Sequence, residues 1–201
     1  MKKKALITFL LTGAVSMFLM SAHYLYLDNT GILKRKDVSS EWWYLVSFRA
    51  HVLFGLLAIG SGPFQFITRI RIHKKRVLRR LGYLYFASVF ISSLAGFLVA
   101  PFAMGGWISS VGFLVLALLW FSVSLVSLLS ISNGQLNRHM YWSYLSYGLT
   151  FAAITQRTLL LIPLLTPVPF LPIYQLSAWL PWIVNLTVAN ALFKRSGTER
   201  P

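Results

Sequence analysis

Apolar residues recur along this chain in six long runs: Ala5 to Leu27, Trp42 to Thr68, Gly82 to Pro101, Trp107 to Ile131, Met140 to Ile162 and Tyr174 to Phe193. At a rise of about 1.5 Å per residue, a helix of about 20 residues covers a hydrocarbon layer of about 30 Å. The runs therefore predict six membrane-spanning helices, TM1 to TM6, and an all-α fold. On this division residues 1–41 hold the first helix and an outer loop, 42–193 a five-helix membrane domain, and 194–201 a tail. Pro163, Pro167, Pro169 and Pro172 mark a turn between TM5 and TM6.

A second periodicity lies inside two of these runs. In TM2, His51, Gly55, Ala58, Gly62, Gln65 and Arg69 fall at offsets of 0, 4, 7, 11, 14 and 18. At about 100° per residue they share one line down the helix to within about 40°. TM5 repeats these offsets with His139, Ser143, Ser146, Thr150, Ala153 and Arg157. Consecutive even- and odd-numbered spans run in opposite directions, so His51 is expected at the depth of Arg157 and Arg69 at that of His139. TM2 and TM5 are therefore expected to pack antiparallel through these small polar faces, flanked by TM3 and TM6. The seam between them is then either a small-residue packing contact, with the histidines satisfied by neighbouring hydroxyls, or a slot for a ligand.

Composition fixes the solvent. Of 201 residues, 57% are hydrophobic and 11% are charged. A soluble domain of this size cannot bury that much apolar surface, so the bilayer is the expected environment. Nineteen Lys and Arg face four Asp and Glu, for a net charge of +15. These cations sit in short clusters between apolar runs, which excludes a nucleic-acid face and reads as a topology signal. With the N-terminus in the cytoplasm, Lys2 to Lys4, the loop from Arg69 to Arg80, Arg138, Lys194, Arg195 and Arg200 all lie inside. The outer loop then holds Lys34, Arg35 and Lys36 against Asp28, Asp37 and Glu41. Both termini are thus expected inside a multi-pass protein of the cytoplasmic membrane. The loop from Arg69 to Arg80 is a topology anchor, or a contact for anionic lipid at about 1 kcal/mol per cation. Trp42, Trp43, Tyr44, Tyr24 and Tyr26 are expected to form an outer aromatic belt. TM1 follows three lysines but is too apolar for too long to be a cleaved leader, and Met20 occupies the place of a small residue three before a cut.

Candidate chemistry is confined to a few groups. There is no cysteine and no acid within the six runs, which excludes thiolate sites, carboxylate-pair hydrolysis and carboxylate-based proton pumping. No phosphate loop, nucleophile elbow or zinc-protease motif occurs. Gly60, Ser61, Gly62 and Pro63 predict a kink or a close helix crossing in TM2. A b-type haem needs two imidazoles at one depth, and His23 with His51, or His73 with His139, are the available pairs, with Arg157 facing a propionate. His51 and His23 are thus the candidate metal ligands. His51, Arg157, His139, Gln65, Thr150 and Asn185 are the candidate cofactor-binding residues. Three function classes follow: a redox or cofactor module, a binder of a small anionic or amphipathic molecule such as a lipid or quinone, and a structural or partner-binding protein. Whether the chain is an enzyme is left open by these residues.

Four groups of residues carry a family resemblance. TM2 holds His51, Gly55, then Gly62, Pro63, Phe64, Gln65, Phe66 and Arg69. The basic loop runs into Arg79, Arg80, Leu81, Gly82, Tyr83, Leu84 and Tyr85. TM5 holds His139, Met140, Tyr141, Trp142, Ser146, Tyr147, Leu149, Thr150, Ala152, Ala153, Thr155 and Arg157, and TM6 holds Trp179, Trp182 and Asn185. Over roughly Trp42 to Phe193 the chain resembles the bacterial predicted membrane proteins catalogued as domain of unknown function 2306. The resemblance implies a multi-pass membrane protein without an assigned activity. It also implies that His51, His139 and Arg157 belong to the family pattern. Where the family commonly has His, Met and Arg, this chain has Leu78, Ser143 and Leu145, so inner-side chemistry that needs that His is not implied here.

Overall fold

The computed structural model describes residues 3–27, 38 and 41–198. Lys2, Asp28, Lys34, Arg35, Lys36, Asp37 and Arg200, which entered the charge argument, lie outside them. The described chain is helical with no strand, and six of its helices are long and apolar enough to cross a membrane. It forms two compact units, Met1–Val99 and Ala100–Pro201, with three of the predicted spans in each.

In the first unit TM1 is the helix Lys3–Ser21, closed by a 3-10 turn at Ala22–Leu25. TM2 is regular α-helix over Trp42–Ser61 and then tightens into 3-10 helix over Gly62–Phe66. Pro63 explains the change, because it lacks the N–H that would bond four residues back and its ring crowds that carbonyl. Ser61 donates its hydroxyl to the carbonyls of Leu57 (2.7 Å) and Ala58 (3.3 Å) at the same place. Ile67 is extended, and a separate short helix, Thr68–His73, precedes TM3 at Lys75–Val99. TM3 thus begins seven residues before the Gly82 expected from hydropathy. Lysine, arginine and leucine are good helix formers, and hydropathy registers where the lipid begins, not where the helix does. TM2 and TM3 make the dominant contact of this unit, burying Val52, Leu56, Ala58 and Ile59 on one helix and Tyr85, Phe86, Val89 and Ala95 on the other.

The second unit places TM5, Leu136–Leu159, between TM4, Gly106–Ser132, and TM6. TM6 is not one rod. A helix at Phe170–Ser177 is separated from Leu180–Thr198 by Ala178 and Trp179, whose N–H groups donate to Gln175 (3.2 Å) and Leu176 (3.1 Å) three residues back. Pro181 at the second position of the new helix leaves the Ser177 carbonyl without its usual donor and restarts the chain.

Apolar side chains on the outer faces, such as Phe9, Leu19, Leu94 and Leu118, are exposed as lipid-facing positions must be. Trp42 (75% exposed) and Tyr26 (70%) suit the expected aromatic belt, but Tyr44 is fully buried (0%), stacked on Phe48 at 6.2 Å. Tyr44 is therefore a core residue, corrected from the belt, because its position on TM2 turns it toward the unit interior.

Close helix approach depends on missing side chains. A Cβ at Gly96 of TM3 would stand 2.8 Å from His51 Nδ1, and one at Gly148 of TM5 would stand 2.9 Å from Ala189 Cβ on TM6. At Gly60 a Cβ meets nothing within 4 Å, so the Gly60 to Pro63 segment serves as the kink and not as a close crossing at Gly60. Accordingly, Gly96→Ala is expected to lower unfolding stability in mixed micelles by about 1–3 kcal/mol through overpacking. Gly60→Ala should leave it level or raise it by up to about 1 kcal/mol. Equal stability of the two variants would show that the helices do not need this approach.

Candidate functional site

Each unit pins one histidine to a serine of a neighbouring helix by the same set of bonds. His51 lies nine residues along TM2 from Trp42, about 14 Å from that end. Its Nδ1 stands 2.9 Å from the backbone oxygen of Ser92 on TM3 and 3.2 Å from Ser92 Oγ, while Ser92 Oγ donates to the His51 carbonyl at 2.8 Å. In the second unit His139 Nδ1 stands 2.9 Å from the Ser127 carbonyl and 3.1 Å from Ser127 Oγ, and Ser127 Oγ reaches the His139 carbonyl at 3.1 Å. In both cases two backbone carbonyls, one hydroxyl and one ring nitrogen close a clasp between two helices.

The clasp determines where the imidazole proton sits. A carbonyl oxygen can only accept, so the 2.9 Å contacts require Nδ1 to carry hydrogen in both rings. In the neutral ring the lone pair is then on Nε2. This is the tautomer that a carbonyl partner sets for a histidine that binds iron or zinc through its far nitrogen.

Beyond His139 the TM5 stripe continues as a ladder onto TM4. Ser143 Oγ lies 2.8 Å from Ser127 Oγ, Ser146 Oγ 2.7 Å from Ser124 Oγ, and Thr150 Oγ1 accepts from Trp120 Nε1 at 3.0 Å. Thr150 also donates back to the Ser146 carbonyl at 3.0 Å. Ser124, Ser146, Trp120 and Thr150 are buried. Hydroxyls withdrawn from water need such partners, and here TM4 supplies one for each.

Each stripe finds hydrogen-bond partners inside its own unit. The TM2 face turns its histidine to TM3, and the TM5 face turns its histidine and hydroxyls to TM4, each within its own unit. TM3 and TM4 carry the complementary small polar rows, and those rows were missed. Ser88, Ser92 and Gly96 repeat at offsets of 0, 4 and 8, and Trp120, Ser124 and Ser127 at 0, 4 and 7. The rule that picked out TM2 and TM5 would have found both rows had it been applied to every span.

The remaining candidates are dispersed. Arg157 donates from Nη1 to the Ala153 carbonyl one turn below it, at 3.3 Å. Asn185 of TM6 exchanges bonds with Thr155 of TM5, Nδ2 to Oγ1 at 3.1 Å and Oγ1 to Oδ1 at 3.2 Å, locking those two helices together. Gln65 is half-buried in the 3-10 turn after TM2, away from the clasp, and Arg69 beyond it is exposed. His23 lies in the turn after TM1, its ring 4.1 Å from that of Tyr24, which in turn meets Phe48 of TM2 edge-on at 5.6 Å. His73 ends the short basic helix and is exposed. Among the described residues, no three His, Cys, Asp or Glu side chains gather as a bare metal ion would need.

Residues 48–193 match the model of a family described as predicted membrane protein, DUF2306. The chain belongs to this family. No curated protein and no solved structure matched it. The DUF2306 region runs from Phe48 within TM2 to Phe193 within TM6 and holds both clasps and the ladder, whereas His23 and the whole of TM1 precede it. What the DUF2306 segment itself supplies is therefore two fixed imidazoles, not the His23 and His51 pair. Sequence reading reached the histidines of this family segment but not the serines that hold them.

The clasp and ladder carry measurable energy. Interhelical bonds within membranes average about 0.6 kcal/mol, up to about 1.7. Ser92→Ala should thus cost about 1–2 kcal/mol in denaturation from mixed micelles, since it removes the hydroxyl that donates to the His51 carbonyl and meets His51 Nδ1 across TM2 and TM3. A double-mutant cycle on Ser124 and Ser146 should return a coupling of about 0.6 kcal/mol. A coupling of zero would mean that the 2.7 Å contact does not tie TM4 to TM5.

Proposed function

We propose that this multi-pass membrane protein of the DUF2306 family is a membrane redox module that holds a b-type haem or a related cofactor against His51. The observation that carries this reading is the 2.9 Å approach of His51 Nδ1 to the Ser92 carbonyl, which calls for hydrogen on Nδ1 and so for the tautomer that ligates iron through Nε2. The donor set is consistent with it. A haem iron asks the protein for axial ligands only, so a site without a third His, Cys or carboxylate suits a porphyrin better than a bare ion. His23, on the turn that packs by Tyr24 against Phe48, is the candidate second imidazole in the same unit, whose other histidine, His73, is exposed on the short basic helix. On this reading both termini lie in the cytoplasm and the protein resides in the cytoplasmic membrane.

A second reading is favoured by the ladder. Ser143, Ser146 and Thr150 already spend their hydroxyls on TM4, which supports a structural role for that stripe in place of a slot for a lipid or quinone. The two readings divide the residues between them: the hydroxyls hold the helices and the His51 imidazole does the chemistry.

Purified protein from haem-supplied cells is expected to show a Soret band, and His51→Ala is expected to lose most of it. Ser92→Ala should keep a band but with an altered reduction potential, since the ligand loses part of its supporting bond. A wild-type protein without the band would end the haem reading. The clasps would then stand as helix fasteners alone.

A further inference from the structure

Between TM2 and TM3 the first unit carries its densest charge. Arg69, Arg71, Lys74, Lys75, Arg76, Arg79 and Arg80 fall within twelve residues, and all seven are exposed. Residues 42–198 contain no Asp or Glu at all. The one carboxylate among the described residues, Glu41, precedes the Trp42 end of TM2, and the helix Trp42–Ser61 alone puts about 30 Å between it and this segment. Among its described residues the unit therefore has no carboxylate near this charge.

The local structure makes the need for counter-charge sharper. Lys75 with Arg79, and Arg76 with Arg80, stand one turn apart on the same face of TM3, where like charges oppose helix formation. The helix nevertheless runs through them. The short helix Thr68–His73 is set off at both ends, by extended Ile67 and by Lys74 at φ −127 and ψ 53. Apolar side chains are exposed beside the cations: Ile72 at 60% and Val77 at 43%. A surface that shows isoleucine and valine among arginines and lysines matches neither water alone nor the hydrocarbon layer. It matches the boundary between them, where cations meet phosphates and aliphatic groups reach the upper acyl chains. Because spans flank the segment on both sides, it is held at that boundary.

We infer that segment 69–80 binds the phosphate headgroups of anionic lipids, with the helix Thr68–His73 seated in the headgroup layer and Ile72 dipping toward the acyl chains. This goes beyond a topology signal, for which the number of cations would suffice wherever their side chains lay. The inference is independent of any cofactor at His51.

The chain has no cysteine, so Ile72→Cys gives a single labelling site on the full-length protein. The labelled variant, carrying bimane, is placed in nanodiscs of equal phosphatidylglycerol and phosphatidylcholine, with bromine on the acyl chains of one lipid or the other. Brominated phosphatidylglycerol is expected to quench more strongly than brominated phosphatidylcholine. The difference should shrink between about 0.1 M and about 1 M salt, as the screening length falls from about 10 Å to about 3 Å. It should also vanish when Arg69, Arg71, Lys74, Lys75 and Arg76 are all changed to Gln. Equal quenching by the two lipids would overturn the inference, and so would no quenching by either, which would place the segment in water. Both decisive comparisons use the protein with its cations intact, so neither depends on how the neutralised variant folds.

Discussion

From residue 42 to residue 198 the chain has no carboxylate, and this constraint shapes everything polar in it. A membrane protein commonly settles a buried cation or imidazole against an acid. Here that solution does not exist, so polar groups are settled by serine hydroxyls, threonine hydroxyls and backbone carbonyls of adjacent helices. The two clasps are the clearest result: each uses a histidine, a serine and two carbonyls, and needs no ion. Close helix approach is the corresponding structural requirement, which is why Gly96 has no side chain where the His51 ring lies. Small residues and polar residues occur together because short hydrogen bonds between helices require short distances between backbones.

Much of the fold was legible in the order of apolar and polar residues. Six runs gave six spans, since the length needed to cross a bilayer is set by lipid thickness. The proline effects were partly legible: Pro63 announced the end of regular helix in TM2, whereas Pro181, inside an unbroken apolar run, was read as part of one span although it divides TM6. The early start of TM3 was hidden because hydropathy is silent about cationic helix. Candidate residues were found where a stripe combined an ionisable group with small neighbours, as with His51 and His139. Their partners Ser92 and Ser127 lie on small polar rows of TM3 and TM4 that carry no ionisable group to single them out. Which helix meets which is decided by the sum of many weak contacts, and no single position reports it.

The two units solve the same problem with different neighbours. The central helix of the first unit takes its serine from the span that follows it, and the central helix of the second from the span that precedes it. Both place the bond on Nδ1, and a backbone oxygen provides the fixed partner in both. The family match includes both arrangements in full. The added TM1, by contrast, buries few residues and turns Phe9, Phe18 and Leu19 outward.

A consequence follows from the use of main-chain atoms on both sides of the clasp. Ser92 is joined to His51 through its own carbonyl as well as its hydroxyl, so the imidazole cannot rotate or shift its hydrogen without slackening the grip of one helix backbone on the other. Electron demand at the far nitrogen would strengthen that grip, and relief of the demand would loosen it. The ring is thus a mechanical link that ties the spacing of TM2 and TM3 to the place of one hydrogen.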